Sequence, residues 1–263
     1  MSTIEVTSPF DGRVVGTVPY GSVAEVETAL QLARKTFDDH KNALPTYKRV
    51  EILENVVKIM SSQIDELTKL CASEGGKPWL DSQVEVHRAI NGVKLAIEAL
   101  GAREGKQIAM GHTASSANRM AYTFKEPIGV VAAISAFNHP LNLAIHQVIP
   151  AIAVGCSVII KPATQTPMSA IRLVEILEEA GLPKGWAQAV VCDREGGELL
   201  ATSAKVNALT FIGSGKVGWY LNSKVAPGTR VALEHGGVAP VIVEADANID
   251  ELIPSIGKGG FYH

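Results

Sequence analysis

One carboxylate stands among apolar residues and glycines in the stretch RVALEHGGVAP, residues 230–240. Glu234 follows the apolar letters VAL and comes just before a Gly-Gly pair, so the pattern places it at the end of a buried strand. Partial desolvation there would suit this carboxylate to accept a proton as a general base. A lone glutamate at a strand end is also commonly just solvated, so Glu234 by itself leaves both interpretations open.

Two more polar side chains follow apolar runs. Asn138, in SAFNHPLN, comes after GVVAAI and shortly before Pro140, a favoured first-turn residue of a helix. Its amide can cap or turn the chain, or donate to the developing oxyanion of a reacting carbonyl. Lys161, in IIKPATQTP, ends an apolar run, where it is either an exposed lysine or a cation that holds ribose hydroxyls or phosphate.

A glycine-rich turn follows a further apolar run in TFIGSGKVGWY. Gly213 and Gly218 flank Ser214 at a predicted helix N-terminus, where free N–H groups and the helix dipole attract an anion. The spacing is not GxGxxG, and a purely structural turn is an equally good interpretation.

The histidines and cysteines offer little further chemistry. His139 and His146 can share a helix face, but no third ligand has suitable spacing, so we predict no metal site. Cys71, Cys156 and Cys192 lie far apart without a CxxC motif, and Cys156 reads as a small core residue. This cysteine usage is typical of a reducing compartment, and we predict a cytoplasmic protein.

The composition of the chain limits the kind of protein to which these residues can belong. The 263 residues are 46% hydrophobic and 19% charged, with a formal net charge of -3, which is typical of a soluble globular chain. The charge gives no reason to expect nucleic acid or an anionic membrane as a partner. No apolar window approaches the roughly 20 residues that cross a bilayer, and no secretory signal is visible at the start.

The first part of the chain predicts short strands and then helices. Residues 1–21 read as strands or an extended arm, and a helix opens at Ser22 with Glu25 as the partner in a capping box. Pro45 precedes what reads as one long helix up to Gly75-Gly76, and a further helix covers about Asp81 to Gly101. Residues 105–127 contain two β-like runs around a polar turn and predict a protruding hairpin.

From Ile128 the pattern alternates between strands and helices. The apolar runs GVVAAI, CSVII, AQAVVC, ALTF and APVIV predict strands, and 167–179 predicts a helix with Thr166 as N-cap. Apolar strands joined by helices imply an α/β fold with a doubly wound parallel sheet. Ligands of such sheets bind at the carboxyl ends of strands, where Asn138, Lys161, Ser214 and Glu234 would lie.

Together these segments resemble the NAD(P)-dependent aldehyde dehydrogenase superfamily. The resemblance rests on EPIGVVAAISAFNHPLNL, GCSVIIKPATQTP, FIGSGKVG and LEHGGVAPVIVEADANID, and it extends over essentially the whole chain. It implies a Rossmann-like cofactor domain formed by residues 1–104 and 128–255. It also implies an oligomerisation hairpin at 105–127, the start of a catalytic domain at 256–263, and a full-length homodimer or homotetramer.

The resemblance also implies a role for each residue. Asn138 matches the oxyanion donor, Lys161 the lysine on the adenosine ribose, and Gly213 and Ser214 the loop beside the pyrophosphate. Glu234 matches the general base for the water that hydrolyses a thioester, and the resemblance implies an aldehyde substrate and NAD or NADP as the cofactor. Further cofactor-contacting positions implied are Ala136, Phe137, Thr164, Gly197, Val217, His235 and Gly236.

The family's nucleophile is a cysteine in a Gly-Gln-x-Cys motif, which none of the three cysteines matches. By the family's spacing, the motif would begin within a few residues after His263. We therefore expect this chain to be the N-terminal portion of a longer enzyme, and residues 1–263 alone not to oxidise aldehydes. Two alternatives stay open, a non-catalytic nucleotide-binding or assembly module and an acyl-phosphate reductase on the same fold, although Glu234 argues against the reductase.

Several positions depart from the family's pattern. Thr164 stands where many NAD-preferring members have a glutamate that would repel a 2′-phosphate, so we predict that NADP is accepted. Phe137 replaces a common tryptophan, and Val238 replaces a lysine or asparagine. His235 replaces a leucine, which indicates either a polar contact near the cofactor or a local packing variant.

Overall fold

A computed structural model describes residues 2–261 of the chain. The strands are β1 (Ser2–Thr7), β2 (Val14–Tyr20), β3 (Gln107–Ile108), β4 (Ala121–Tyr122), β5 (Val130–Ile134), β6 (Ser157–Lys161), β7 (Ala187–Ala189), β8 (Ala208–Gly213) and β9 (Arg230–His235). The helices are α1 (Val23–Asp38), α2 (Thr46–Ser62), α3 (Ile64–Gly75), α4 (Trp79–Gly101), α5 (Pro140–Val154), α6 (Met168–Glu179), α7 (Arg194–Thr202), α8 (Gly215–Asn222) and α9 (Ile249–Gly260). None of these helices is long and apolar enough to cross a membrane.

The centre of the fold is a parallel sheet with the strand order β7-β6-β5-β8-β9. The chain moves outward from β5 through β6 to β7 and then returns to place β8 on the other side of β5. The strand order therefore reverses between β5 and β8, and such a point opens a crevice at the carboxyl ends of the strands. The predicted doubly wound α/β fold is confirmed.

Alternate residues of β5 show that both faces of the sheet are covered. Val131 and Ala133 pack into a core that includes residues of α2 through α6, whereas Val130 and Ala132 pack with α1 and α7. A strand buried on both faces must be apolar at every position, which is why GVVAAI lacks polar alternation.

The predicted long helix after Pro45 is wrong, because the structure divides it into α2 and α3 at Gln63. The backbone of Gln63 leaves the helical region with φ -117° and ψ 25°, and its side-chain oxygen accepts a hydrogen bond from Arg172 Nη2 at 3.0 Å. Met60 and Leu67 on either side are both buried in the same core. The apolar stripe continues across the break, so periodicity alone does not show it.

The predicted strand APVIV is also wrong. The last strand of the described sheet is β9, and residues 239–243 form no strand. Val238, Val241 and Ile242 are 94%, 69% and 82% exposed, so this run has no partner within residues 2–261. β9 itself pairs with β8 and has alternately exposed residues, so it is a sheet edge in the described chain and not a buried strand.

Residues 105–127 contain the antiparallel pair β3 and β4, each only two residues long. The segment carries exposed apolar side chains, namely Ile108, Met110, Met120, Tyr122 and Phe124. Its predicted role in oligomerisation remains a prediction.

The N-terminus of α6 is satisfied by a buried carboxylate from another helix. Thr166 is not the N-cap, since Pro167 occupies that position. Glu74 of α3 accepts hydrogen bonds from the N–H groups of Met168 and Ser169, at 2.8 and 2.9 Å, and from the Ser169 hydroxyl. Glu74 is 1% exposed, and burial raises its pKa to about 7.

This shift predicts a pH-dependent stability. Between the carboxyl's usual pKa and about 7, the folded chain keeps a proton that the unfolded chain loses. The free energy of unfolding should therefore fall by roughly 1–3 kcal/mol between pH 5 and pH 8 on account of Glu74. Glu74→Gln should remove that part of the fall in denaturant titrations at the two pH values, and the exposed Glu66→Gln should not. An unchanged pH dependence in Glu74→Gln would contradict the assignment.

Candidate active site

A cavity of about 460 Å³ opens beside the carboxyl ends of the central strands. Ile134 ends β5 and Phe211 lies near the end of β8, so the cavity lies at the reversal of strand order. The other residues that line it are Lys161, Arg194, Gly197, Glu198, Lys216, Val217, Tyr220 and Leu221. Three of the predicted cofactor positions, Lys161, Gly197 and Val217, are thus brought together.

Lys161 is the last residue of β6 and is only partly exposed. Burial lowers the pKa of its ammonium group, while Cys192 and Asp193 oppose that change. Its Nζ donates to the carbonyl of Pro162 at 3.3 Å and forms no ion pair among the described residues. The ammonium group can therefore donate to hydroxyl or phosphate oxygens.

Gly197 leaves room for Lys161. A Cβ at this position of α7 would lie 3.0 Å from Lys161 Cδ, closer than most real Cβ contacts. A side chain at position 197 would push the lysine stem aside by a few tenths of an ångström, so glycine lets Lys161 keep its position.

Two helices begin close to this cavity, and each has a side-chain cap. Asp193 Oδ1 accepts from Gly196 N at 2.8 Å at the start of α7. Ser214 Oγ accepts from Val217 N at 3.4 Å at the start of α8. Gly213 ends β8 immediately before Ser214, so the strand leads directly into the helix N-terminus, where the dipole favours an anion.

Asn138 and Glu234 lie in different elements. Asn138 is partly buried in the loop between β5 and α5, which also contains Ala136 and the 60% exposed Phe137. Thr166 Oγ1 donates to the carbonyl of Phe137 at 3.2 Å and so connects this loop to the one that follows Lys161. Thr164 lies exposed in that second loop.

Glu234 is exposed on β9, so the desolvation expected for it is not provided by the described residues. Its charge acts on His146 of α5: burial lowers the pKa of His146, and Glu234 raises it in opposition. Glu234 and the exposed side of α5 therefore face the same region. Gly236, two residues later, donates its N–H to the carbonyl of Gly213 at 3.3 Å.

His235 packs against α8 and does not line the cavity. Its ring centroid lies 5.6 Å from that of Trp219 and 6.3 Å from that of Phe211, with the rings close to perpendicular. A Cβ on Gly218 would overlap with the imidazole, so the glycine allows this contact. The geometry favours the packing interpretation over a polar contact with a cofactor, although Nε2 is buried without a described hydrogen-bond partner.

A second cavity, of about 450 Å³, lies between α4 and α5. His146 lines it, which connects it electrostatically to Glu234. The other residues that line it are Val84, His87, Arg88, Asn91, Gly92 and Leu95. The cavity therefore combines apolar groups with one permanent cation and two imidazoles.

The three thiols are all buried. Burial raises the pKa of Cys71 and of Cys192, so both stay protonated at neutral pH. Cys156 is 1% exposed in the core, as its sequence context predicts. None of the three is an accessible nucleophile.

The chain as a whole has known relatives. The sequence model described as the aldehyde dehydrogenase family matches residues 1–263. This chain belongs to that family. A 3-sulfolactaldehyde dehydrogenase of Priestia aryabhattai is 36% identical over 259 residues, which are 98% of this chain and 54% of the relative.

Two crystal structures show the same fold at similar identity. Aldehyde dehydrogenase 21 from Physcomitrella patens, in complex with the reaction product succinate, matches with a TM-score of 0.91 and 34% identity, over 99% of this chain and 54% of that one. Glyceraldehyde-3-phosphate dehydrogenase from Methanocaldococcus jannaschii, complexed with NADP, matches with a TM-score of 0.89 and 35% identity, over 98% and 56%. The chain therefore spans about half the length of the aldehyde dehydrogenases it matches.

Part of the cavity wall of this aldehyde dehydrogenase chain was not predicted from the sequence, notably Arg194, Glu198 and Tyr220. Arg194 lies 5.7 Å from the ring centroid of Tyr220, whose hydroxyl donates to Glu198 Oε1 at 2.8 Å. Tyr220 follows Val217 by three residues, so both lie on one face of α8. This spacing could have indicated that Tyr220 lines the cavity. The position of Arg194 depends on how α7 packs beside α8, which the spacing of residues does not encode.

Proposed function

We propose that the protein carrying this chain oxidises an aldehyde to a carboxylic acid with NAD or NADP, through a cysteine thioester. The chain would supply the cofactor site, the oxyanion donor Asn138 and the general base Glu234. The observation that carries the proposal is the cavity at the reversal of strand order, which brings Lys161, Gly197 and Val217 together in a chain of this family.

The chemistry of the cavity supports dinucleotide binding. Lys161 would donate to the ribose hydroxyls, and the N-terminus of α8 after Gly213 and Ser214 would face the pyrophosphate. Gly197 keeps the space beside Lys161 open. The nicotinamide, when bound, supplies the hydride acceptor. The remaining predicted positions, Ala136, Phe137, Thr164, His235 and Gly236, are proposed as neighbours of the cofactor by the family resemblance, with His235 contributing through packing.

The chain's own residues would act on charge and protons. When a thiolate adds to the aldehyde carbon, the carbonyl oxygen becomes negative, and the Asn138 amide would donate a hydrogen bond to it. Glu234 would accept a proton from the water that hydrolyses the thioester, which releases the acid and the thiol. Because the thiols of residues 1–263 are buried, the nucleophile would be a cysteine outside this chain.

The activity test uses the full-length polypeptide and an aldehyde panel. Asn138→Ala should lower kcat by roughly 100- to 1,000-fold, since one oxyanion donor is lost. Glu234→Gln should slow thioester hydrolysis while leaving the first burst of reduced cofactor visible. The measurement is the absorbance of reduced cofactor in rapid mixing and at steady state. Full activity in both variants would sink the proposed roles.

A second candidate function is a nucleotide-binding or assembly module without catalysis. The buried thiols favour it for residues 1–263 taken alone, because the cavity is present without an accessible nucleophile. Purified 1–263 should then bind a dinucleotide without aldehyde turnover, and robust turnover by it would contradict this.

We further propose that NADP is accepted. Thr164 lies exposed in the loop after Lys161, where it adds no negative charge to repel a 2′-phosphate. The Methanocaldococcus jannaschii relative is complexed with NADP, which supports the proposal.

Thr164→Glu should weaken NADP binding at least about tenfold, because it places a carboxylate near the 2′-phosphate. Thr164→Gln, of similar size and no charge, is the matched control and should have a smaller effect. Titration calorimetry with NADP and NAD measures both. NAD binding far more tightly than NADP to the unaltered protein would overturn the proposal.

For the substrate, we propose an aldehyde with a second, anionic group. The cavity between α4 and α5 adjoins Glu234 through His146 and presents Arg88, which forms no ion pair among residues 2–261. The descriptions of the three relatives above also name anionic compounds. These are a sulfolactaldehyde, succinate and a glyceraldehyde phosphate.

Replacing the cation tests this substrate class. Arg88→Met should raise KM for a carboxylated aldehyde roughly tenfold and leave KM for a neutral aldehyde of equal length unchanged. Lys94→Met, an exposed cation on α4 outside the cavity, is the control. Equal changes in KM for both aldehydes would contradict the proposal that Arg88 binds the anionic group of the substrate.

We also infer how the protein assembles and where it is located. The exposed apolar residues of 105–127 support a role for this segment in a homodimer or homotetramer. The unpaired thiols support a cytoplasmic location.

A further inference from the structure

The loop that carries Asn138 is held by a side chain from the N-terminal helices. Lys77 lies in the short connection between α3 and α4, and its Nζ donates to the main-chain carbonyl of Asn138 at 3.0 Å. The two residues are 61 positions apart in sequence. The side chain of Lys77 is 6% exposed, so this contact is shielded from water.

Glu85 of α4 completes the contact on the other side of Asn138. One carboxylate oxygen pairs with the Lys77 ammonium group. The other accepts from Leu141 N at 2.9 Å and Asn142 N at 3.1 Å, in the first turn of α5. The Lys77–Glu85 pair therefore binds the backbone both at Asn138 and in the first turn of α5.

The carboxylate of Glu85 stays ionised beside Lys77. The side chain of Glu85 is fully buried, and burial alone would raise its pKa. The hydrogen bond with His139 and the charge of Lys77 outweigh burial and hold the pKa of Glu85 below its usual range. His139 Nδ1 lies 3.3 Å from Lys77 Nζ and 3.4 Å from Glu85 Oε2, so the residue next to Asn138 belongs to the same cluster.

A buried ion pair is weak evidence for added stability, since desolvation offsets much of its attraction. The hydrogen bonds of Lys77 and Glu85 instead fix the position of the backbone around Asn138. A hydrogen-bond donor to an oxyanion must be held within about 0.5 Å and 10–20° of its working position. The Asn138 side chain begins at the same residue whose carbonyl is bound by Lys77, so a shift of this backbone displaces the amide.

We propose that Lys77 and Glu85 are positioning residues for the oxyanion donor, acting through the backbone of Asn138. The inference rests on the proposed function of Asn138. Neither residue touches the aldehyde; Lys77 holds the carbonyl side of the loop, and Glu85 holds the start of α5. A purely structural role would instead affect folding, and activity would change by the same factor whether or not the Asn138 amide is present.

A double-mutant cycle in the full-length polypeptide separates these roles. Lys77→Met should lower the rate of the first burst of reduced cofactor roughly 10- to 100-fold. The dinucleotide Kd should stay within about twofold. In an Asn138→Ala background, Lys77→Met should change the burst rate less than about threefold, because the amide it positions is gone. Lys77→Arg should recover part of the rate, and the exposed Lys69→Met should have no effect.

The outcomes are distinct. An equal loss from Lys77→Met in both backgrounds, or no loss in the unaltered background, overturns the positioning role. An Asn138→Ala variant with an unaltered burst rate overturns the proposed function itself. If Lys77→Met does not fold, Glu85→Gln removes the charge that holds Lys77 but keeps an acceptor for the N–H groups of Leu141 and Asn142, and it replaces Lys77→Met in the same cycle with the same expected outcomes.

Discussion

The fold depends on burying both faces of a parallel sheet. A strand such as β5 can be apolar at every position only if helices cover it from both sides, and α5 and α1 provide that cover. Every strand must then be followed by a crossover on one face or the other. The loops that follow the strands therefore all lie at the carboxyl ends of the strands. Ile134, Lys161 and Gly213 are the last residues of β5, β6 and β8 there.

A second requirement follows from the crossovers. Each helix that leaves this edge has free N–H groups in its first turn, and α5 and α6 begin in buried surroundings. The N-terminal helices satisfy them with carboxylates, Glu85 for α5 and Glu74 for α6. The region that precedes the sheet in sequence is thus bonded to the helices that carry the site, and its packing sets where their first turns lie.

The sequence was sufficient for the features that depend on local pattern. The sheet, the capping box of Ser22 and Glu25, and the strand-end positions of Asn138 and Lys161 all follow from apolar runs and the residues after them. The break at Gln63 did not, because the apolar stripe passes through it. Nor did the cap of α6, since Glu74 lies 94 residues before Met168 and nothing local links them. The exposed run APVIV shows the converse, that an apolar run without a neighbouring strand is not a strand.

The edge position of β9 has a consequence for assembly. Within residues 2–261, one side of this strand bonds to β8, and no strand pairs with its opposite side. The unpaired side of an edge strand is a template on which another strand can add. Glu234 lies on this edge strand, so a segment that adds there as a further strand would make the backbone of Glu234 more rigid. If the edge stays unpaired, other polypeptides could bind to it through the same backbone hydrogen bonds.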